Sequence, residues 1–377
     1  MYDKYITRDV YGLISDFLFQ GKTIVIYGAR QVGKTTLLKQ FAGSYPEKTT
    51  WLNMDLNHDR ELLNNLDGQR AADLFDTGGL LLIDEAQRLD STGLTLKVLH
   101  EYCPNTQIIA TGSSAFELTD RIKESLTGRK RTIKLFPLSQ NEIINHFGKL
   151  EYHRSLETRI SYGNYPEVVM NPGKEEGILS ELISDYLYKD VFMLKDIRKP
   201  ETLEKLVYAL AYQMGSQVSF RELSQLIQSD KETVERYIRL LEEAFIIFRL
   251  PSFSRNVRNE LKRSRKIYFY DTGIRNALIN RFGELELRED RGALWENFMI
   301  AERIKKRLNT NERANFYFWR TNVGQEIDLI EEKEGNLFAF EFKWASKEKM
   351  MFPKTFTKNY PQAQLQLISK ENFIDFM

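Results

Sequence analysis

Cysteine is nearly absent from this chain: Cys103 is the only one in 377 residues. A single thiol excludes an intramolecular disulfide framework and a cysteine-rich zinc site. Long apolar runs are missing too. No stretch approaches the roughly 18–20 apolar residues that a membrane-spanning helix requires. Residues 1–20 mix Asp3, Lys4, Arg8 and Asp9 among apolar positions, so no secretory h-region is expected. The third absence is net charge. With 54 Lys+Arg against 53 Asp+Glu, the balance of +1 points to no class of partner, and only local clusters can. What is present is core-forming material: 42% hydrophobic and 12% aromatic residues. The length exceeds one ordinary domain and suggests two or three. A soluble, cytoplasmic, multidomain protein without membrane contact is expected.

The strongest positive signal follows a short β-branched run, Thr23-Ile24-Val25-Ile26-Tyr27, of the kind that forms a buried parallel strand. It leads into Gly28-Ala29-Arg30-Gln31-Val32-Gly33-Lys34-Thr35 and then a helical stretch from Thr36. This is a G-x-x-x-x-G-K-[ST] loop in its required strand–loop–helix setting. Gly28 and Gly33 permit a sharp turn and close approach to phosphate. Loop amides and the helix N-terminus supply partial positive charge. Lys34 adds a point charge near the terminal phosphates, and the Thr35 hydroxyl is placed to ligate Mg²⁺. The expected cofactors are ATP and Mg²⁺.

Gly79-Leu80-Leu81-Leu82-Ile83-Asp84-Glu85 is an apolar strand ending in two carboxylates. Asp84 is suited to hold Mg²⁺ through water, and Glu85 to polarise the attacking water as general base. Gln87 and Arg88 are candidates to line the same site. Gln107–Thr111 reads as a further strand, followed by Gly112-Ser113-Ser114; Thr111 or Ser113 could sense the terminal phosphate, or the turn could be structural. Strands at Thr50–Met54 and Arg131–Leu135 complete a five-stranded parallel α/β sheet with ligands at its carboxyl ends. Between them, Arg121 or Arg129 could reach a neighbouring subunit's nucleotide, an effect worth about 10³–10⁵ in turnover. A solvated basic loop is the alternative.

These residues resemble the bacterial and archaeal AAA-like ATP-binding proteins that carry a C-terminal domain of unknown function. The resemblance rests on Gly28 to Thr36, Leu82-Ile83-Asp84-Glu85-Ala86-Gln87, Thr111-Gly112-Ser113-Ser114, Leu126-Thr127-Gly128-Arg129 and Pro137-Leu138-Ser139. Tyr162-Gly163-Asn164-Tyr165-Pro166-Glu167 and Asp185-Tyr186-Leu187-Tyr188-Lys189-Asp190 match further family motifs. The resemblance implies ATP binding and hydrolysis.

Beyond residue 138 the pattern turns helical, read as a lid over 138–210 after an ATPase domain at 1–137. Ser219–Gln228 and Lys231–Glu243 read as two helices around a turn; with the strand-like Phe245–Leu250 they give a winged-helix pattern over 211–275. The second helix carries Lys231, Arg236 and Arg239 against Asp230, Glu232, Glu235, Glu242 and Glu243, which is poor for entering a DNA groove. The expected wing differs. Across 249–266 lie Arg249, Arg255, Arg258, Lys262, Arg263, Arg265 and Lys266 against Glu260 alone, a candidate surface for DNA or RNA phosphates. A solvated hairpin or protein-docking element fits the same composition.

In 276–377, a helix over Ala293–Glu302 and strands at Phe316–Arg320, Gln325–Ile330 and Leu337–Lys343 carry Glu296, Asp328, Glu341 and Lys343. They follow the order of a PD-(D/E)XK nuclease core, in which carboxylates bind Mg²⁺ and a lysine orients the nucleophile. Alternation places Glu341 with Lys343 and Glu326 with Asp328. An active nuclease, a degenerate nucleic-acid-binding version and a structural domain all remain open. The expected fold is therefore α/β: a P-loop AAA-like sheet, a helical lid, a winged helix and a small nuclease-like α/β domain. The leading function is ATP hydrolysis coupled to nucleic-acid handling, or to assembly as a homo-oligomer. A nucleotide-gated switch with slow turnover is the alternative.

Overall fold

Three largely apolar runs, Thr23–Gly28 (β1), Leu80–Asp84 (β3) and Gln107–Gly112 (β4), are buried at every position. Only a strand covered on both faces tolerates that pattern. The computed structural model describes residues 5–45, 48–112, 126–184, 197, 199–253, 265–345 and 352–377. It divides into two compact units: Met1–Leu138 with Glu243–Phe245, and Ser139–Glu242 with Ile246–Met377.

In the first unit β1, β3 and β4 form the middle of a five-stranded sheet. Thr49–Asn53 (β2) and Lys130–Leu135 (β5) form its edges, in the order β2-β3-β4-β1-β5. Every pairing is parallel, and Gly28 lies opposite Leu135 while Asn53 lies opposite Asp84. The carboxyl ends of the strands thus gather on one edge, where an open α/β sheet places its ligand. Val10–Phe17 (α1) and Lys34–Ser44 (α2) pack through a stack of Tyr11 on Phe41, with ring centroids 4.5 Å apart.

The second unit begins with helices at Gln140–Phe147, Lys149–Tyr162, Pro166–Met170, Glu175–Ile183 and Pro200–Tyr212. A Ser139/Glu142 capping box starts the first of them. Next come Gln217–Val218 (β6), helices Phe220–Leu226 and Lys231–Glu243, then Ile247–Pro251 (β7) and Arg265–Phe269 (β8). The strands pair antiparallel in the order β6-β8-β7. After helices Thr272–Leu278 and Arg291–Asn309 comes a sheet of Asn315–Arg320 (β9), Glu326–Lys333 (β10), Asn336–Phe342 (β11) and Gln364–Ile368 (β12). Its order is β12-β11-β10-β9, parallel only between β11 and β12.

Apart from Leu138 and Glu243–Phe245, the segments 138–210, 211–275 and 276–377 that sequence reasoning separates fall in this one unit, and buried polar bonds cross their borders. The backbone N–H of Gln140 donates to Glu302 Oε2 at 2.8 Å, and Asn164 N–H donates to Asp271 Oδ2 at 2.7 Å. The Tyr162–Glu167 motif supplies one of these joints. A Cβ on Gly163 (φ +74°) would lie 1.9 Å from Asp271 Oδ1, so only glycine fits there. The Asp185–Asp190 motif lies outside the described residues, as does most of the expected basic wing. No helix among the described residues is long and apolar enough to cross a membrane.

Candidate functional site

The phosphate-type loop is built where β1 ends. A Cβ on Gly28 would sit 2.2 Å from the Leu135 carbonyl oxygen, so glycine is what lets β1 close against β5 as the chain turns. Ala29, Arg30, Gln31 and Val32 make the turn. Gly33 (φ +96°) adopts a left-handed conformation freely, while Gln31 (φ +60°) holds it as a non-glycine, a strained geometry that recurs at functional sites. Helix α2 starts at Lys34, with Thr35 and Thr36 in its first turn. The Lys34 side chain is 5% exposed and curls over the loop; its Nζ donates to the Gly28 and Ala29 carbonyls at 3.0 and 2.7 Å.

Asp84 arrives from the end of β3. Its Oδ2 accepts from Thr35 Oγ1 at 2.7 Å and its Oδ1 from Thr111 Oγ1 at 2.5 Å. Thr111 also accepts the Glu85 backbone N–H at 3.2 Å, so one β4 hydroxyl organises both acids. Glu85 is itself left-handed (φ +53°), and its carboxylate accepts a hydrogen bond from the Gln87 side-chain amide. Arg88 instead faces Asp55, at 3.3 Å on the surface. The donor set suits the magnesium that such a loop implies, because a hydroxyl and a carboxylate, both hard oxygen ligands, already converge.

Lys34, Thr35, Asp84, Glu85 and Thr111 are therefore gathered at one edge of the sheet. Arg129 is not. It precedes β5, accepts the Thr23 N–H on its carbonyl and pairs with Glu101 at 3.3 Å, all at the amino edge. A six-residue strand spans about 20 Å, so Arg129 cannot reach the loop of its own chain. Ser113 and Arg121 lie outside the described residues. One contributor escaped sequence reasoning, which registered Arg8 only as a charge interrupting an apolar stretch. Arg8 is 6% exposed; its Nη1 donates to the Val32 carbonyl at 2.5 Å and its Nη2 to the Phe136 carbonyl at 2.6 Å.

The C-terminal carboxylates form a second cluster. Glu296 Oε1 accepts from Lys266 Nζ at 2.9 Å and from Tyr268 Oη at 2.5 Å, while Lys266 Nζ also meets Glu326 Oε1 at 2.5 Å. Asp328 Oδ2 accepts the Phe342 N–H at 2.9 Å. Burial, then the Glu296 and Glu341 carboxylates, hold Asp328 well above the usual carboxylate range. Burial pushes Glu341 up to about 7 against the opposing pull of Lys343. Burial alone would lower the Lys266 ammonium, but Glu296, Glu326 and Asp328 outweigh it and raise it.

Glu296, Asp328 and Glu341 thus share one electrostatic neighbourhood, with Lys343 beside Glu341. Even so, no three His, Cys, Asp or Glu side chains among the described residues are arranged to hold a metal ion. The cation that Glu296 and the neighbouring Glu326 bond is the Lys266 ammonium. This also corrects the expected wing. Lys266 is 3% exposed, and Arg249 is engaged by Glu242 at 2.7 Å, so neither is available to a phosphate. Arg265 lies near the Phe220 ring, 5.7 Å from its centroid. Arg255, Arg258, Lys262 and Arg263 lie outside the described residues.

Residues 20–144 match the AAA domain family. Residues 153–285 match a domain of unknown function (DUF8612), and residues 291–374 match another (DUF4143). An uncharacterized protein of Mycobacterium tuberculosis is 28% identical over 348 residues, covering 90% of this chain and 74% of its own length. One from Methanocaldococcus jannaschii is 26% identical over 378 residues, covering 92% and 80%. Among solved structures, a Walker-type ATPase of Pyrococcus abyssi superposes with a TM-score of 0.49 at 14% identity, over 73% of this chain and 96% of that one.

Proposed function

From an AAA-type domain whose acids and hydroxyls converge beside a phosphate-type loop, we propose that this chain binds and hydrolyses ATP with Mg²⁺. The observation that carries the reading is the Thr35–Asp84 hydrogen bond of 2.7 Å, with Thr111 on the other carboxylate oxygen. In this reading Gly28 to Thr36 wrap the phosphates, and Lys34 exchanges loop carbonyls for phosphate oxygens. Thr35 and Asp84 would hold Mg²⁺, which when bound supplies charge stabilisation on the phosphates. Glu85 takes the proton of the attacking water, and Thr111 fixes the backbone that aims it. Arg129 would act only in trans, within a homo-oligomer.

The order helix, β6, helix, helix, β7, β8 supports reading residues 211–275 as a winged helix and so favours coupling of hydrolysis to DNA or RNA. Steady-state turnover with and without Mg²⁺, DNA and RNA tests this. Severalfold stimulation by nucleic acid is the expected result. Failure to bind ATP at millimolar concentration would end the reading altogether.

A second reading, a nucleotide-gated switch with a non-cleaving C-terminal domain, is favoured by two observations. Gln87 occupies a carboxylate oxygen of Glu85, and Lys266 sits among the nuclease-like acids. Slow, unstimulated hydrolysis with a nucleotide-dependent change in size would select it.

The C-terminal cluster also makes a pH prediction. Below its ordinary value of 4.5, Glu341 is protonated in folded and unfolded chains alike and contributes no pH dependence. Between 4.5 and about 7 the folded chain keeps a proton that the unfolded chain has released, so stability falls as pH rises. Above about 7 the loss is complete. Glu341→Gln should therefore raise the melting temperature at pH 8, measured in EDTA, and change it far less at pH 4. An equal gain at both pH values would contradict this.

A further inference from the structure

We propose that Arg8 is a positioning residue of the nucleotide site, clamping the Val32 carbonyl at the crest of the loop to the Phe136 carbonyl at the exit of β5. The inference rests on the ATP reading above and adds a residue that no loop motif contains.

The geometry works through one peptide unit. The Val32 carbonyl and the Gly33 N–H belong to the same planar group. In a phosphate-binding loop the amide protons turn inward and the carbonyls outward, so an outward carbonyl that is buried needs a donor. Arg8 Nη1 supplies it at 2.5 Å. A cation on that oxygen fixes the peptide plane and polarises the N–H at its other end, strengthening it as a donor to phosphate. The clamp matters most at this unit. Gly33 has φ +96° and no Cβ to resist a peptide flip, so its own sequence does little to hold the orientation.

The clamp is itself anchored. The Tyr11 N–H donates to the Arg8 carbonyl at 3.0 Å, the Tyr11 ring stacks on Phe41, and its hydroxyl bonds Ser44 Oγ at 2.7 Å. Arg8 is thus tied to the same helix, α2, that the loop opens. Its second bond, to Phe136 at 2.6 Å, reaches the segment just before Ser139, where the second unit begins. A planar guanidinium can grip two carbonyls at once in a fixed fork, which a lysine ammonium does not reproduce.

The test compares wild type, Arg8→Ala, Arg8→Lys and Lys34→Ala for binding of a fluorescent ATP analogue, with folding followed by circular dichroism. Losing a charge-assisted clamp on a phosphate donor should weaken binding about tenfold or more in Arg8→Ala. Millimolar methylguanidinium should restore most of that loss, methylammonium should not, and neither should rescue Lys34→Ala. Should Arg8→Ala fail to fold, Arg8→Lys carries the test and is expected to bind several-fold more weakly than wild type. Wild-type affinity in a folded Arg8 variant, or a loss in Arg8→Ala that methylguanidinium leaves untouched, overturns the proposal. Absence of binding by the wild-type chain would instead bring down the ATP reading, and Arg8 with it.

Discussion

Replacing Glu85 with Gln should lower ATP turnover by about 10²–10⁴-fold while leaving nucleotide affinity within a few fold. The substitution preserves size and hydrogen-bonding reach but removes the proton acceptor. The backbone N–H of residue 85 would still donate to Thr111, so the left-handed turn after β3 and the position of Asp84 should be undisturbed. In the proposed reading, binding depends on the loop and on Thr35 with Asp84, and the chemical step on residue 85. Single-turnover hydrolysis beside calorimetric binding separates the two. Normal turnover by the variant would mean that water is activated by another group. A parallel loss of affinity would mean that Glu85 holds the site together instead of acting on water.

Lys34→Ala should abolish measurable ATP binding at micromolar concentrations. The side chain is nearly buried and already paired with two carbonyls, so its charge acts where water screens it poorly. Losing a desolvated charged partner removes 2–5 kcal/mol, or about 30- to several-thousand-fold in affinity. The loss should fall on nucleotide affinity, with a smaller cost to folding because the buried Gly28 and Ala29 carbonyls at the end of β1 lose a donor. Calorimetry with ATP and ADP, together with thermal melting, checks both halves. Retained micromolar affinity would show that the loop amides suffice and that Lys34 has been given too large a part.

The loop and the first acid were legible because their information is local. Gly28, Gly33, Lys34 and Thr35 act within eight consecutive residues, and Asp84 with Glu85 closes one apolar run. Five parallel strands followed from short, mainly apolar runs separated by helical stretches, a pattern that admits few alternatives. Arg8 was illegible for the converse reason. Its partners are backbone carbonyls 24 and 128 residues away, and a carbonyl has no side-chain signature. Lys266 was misread on similar grounds. Its neighbours in sequence are basic, but its bonds run to Glu296 and Glu326, so burial was set by pairing that no window of sequence contains. The Tyr162–Glu167 motif was legible as a pattern, and its reason became visible only when Asp271 was found where a Cβ on Gly163 would stand.

The folded-back amine of Lys34 has a thermodynamic consequence. Because its charge already has partners, an arriving triphosphate does not rescue a naked ion; it trades one solvation shell for another. If the loop takes ATP as proposed, the enthalpy of capture would be correspondingly diluted and departure of the spent nucleotide eased, since the carbonyls wait as an internal leaving medium. Such an arrangement would suit a protein that must exchange its fuel repeatedly more than one that must store it.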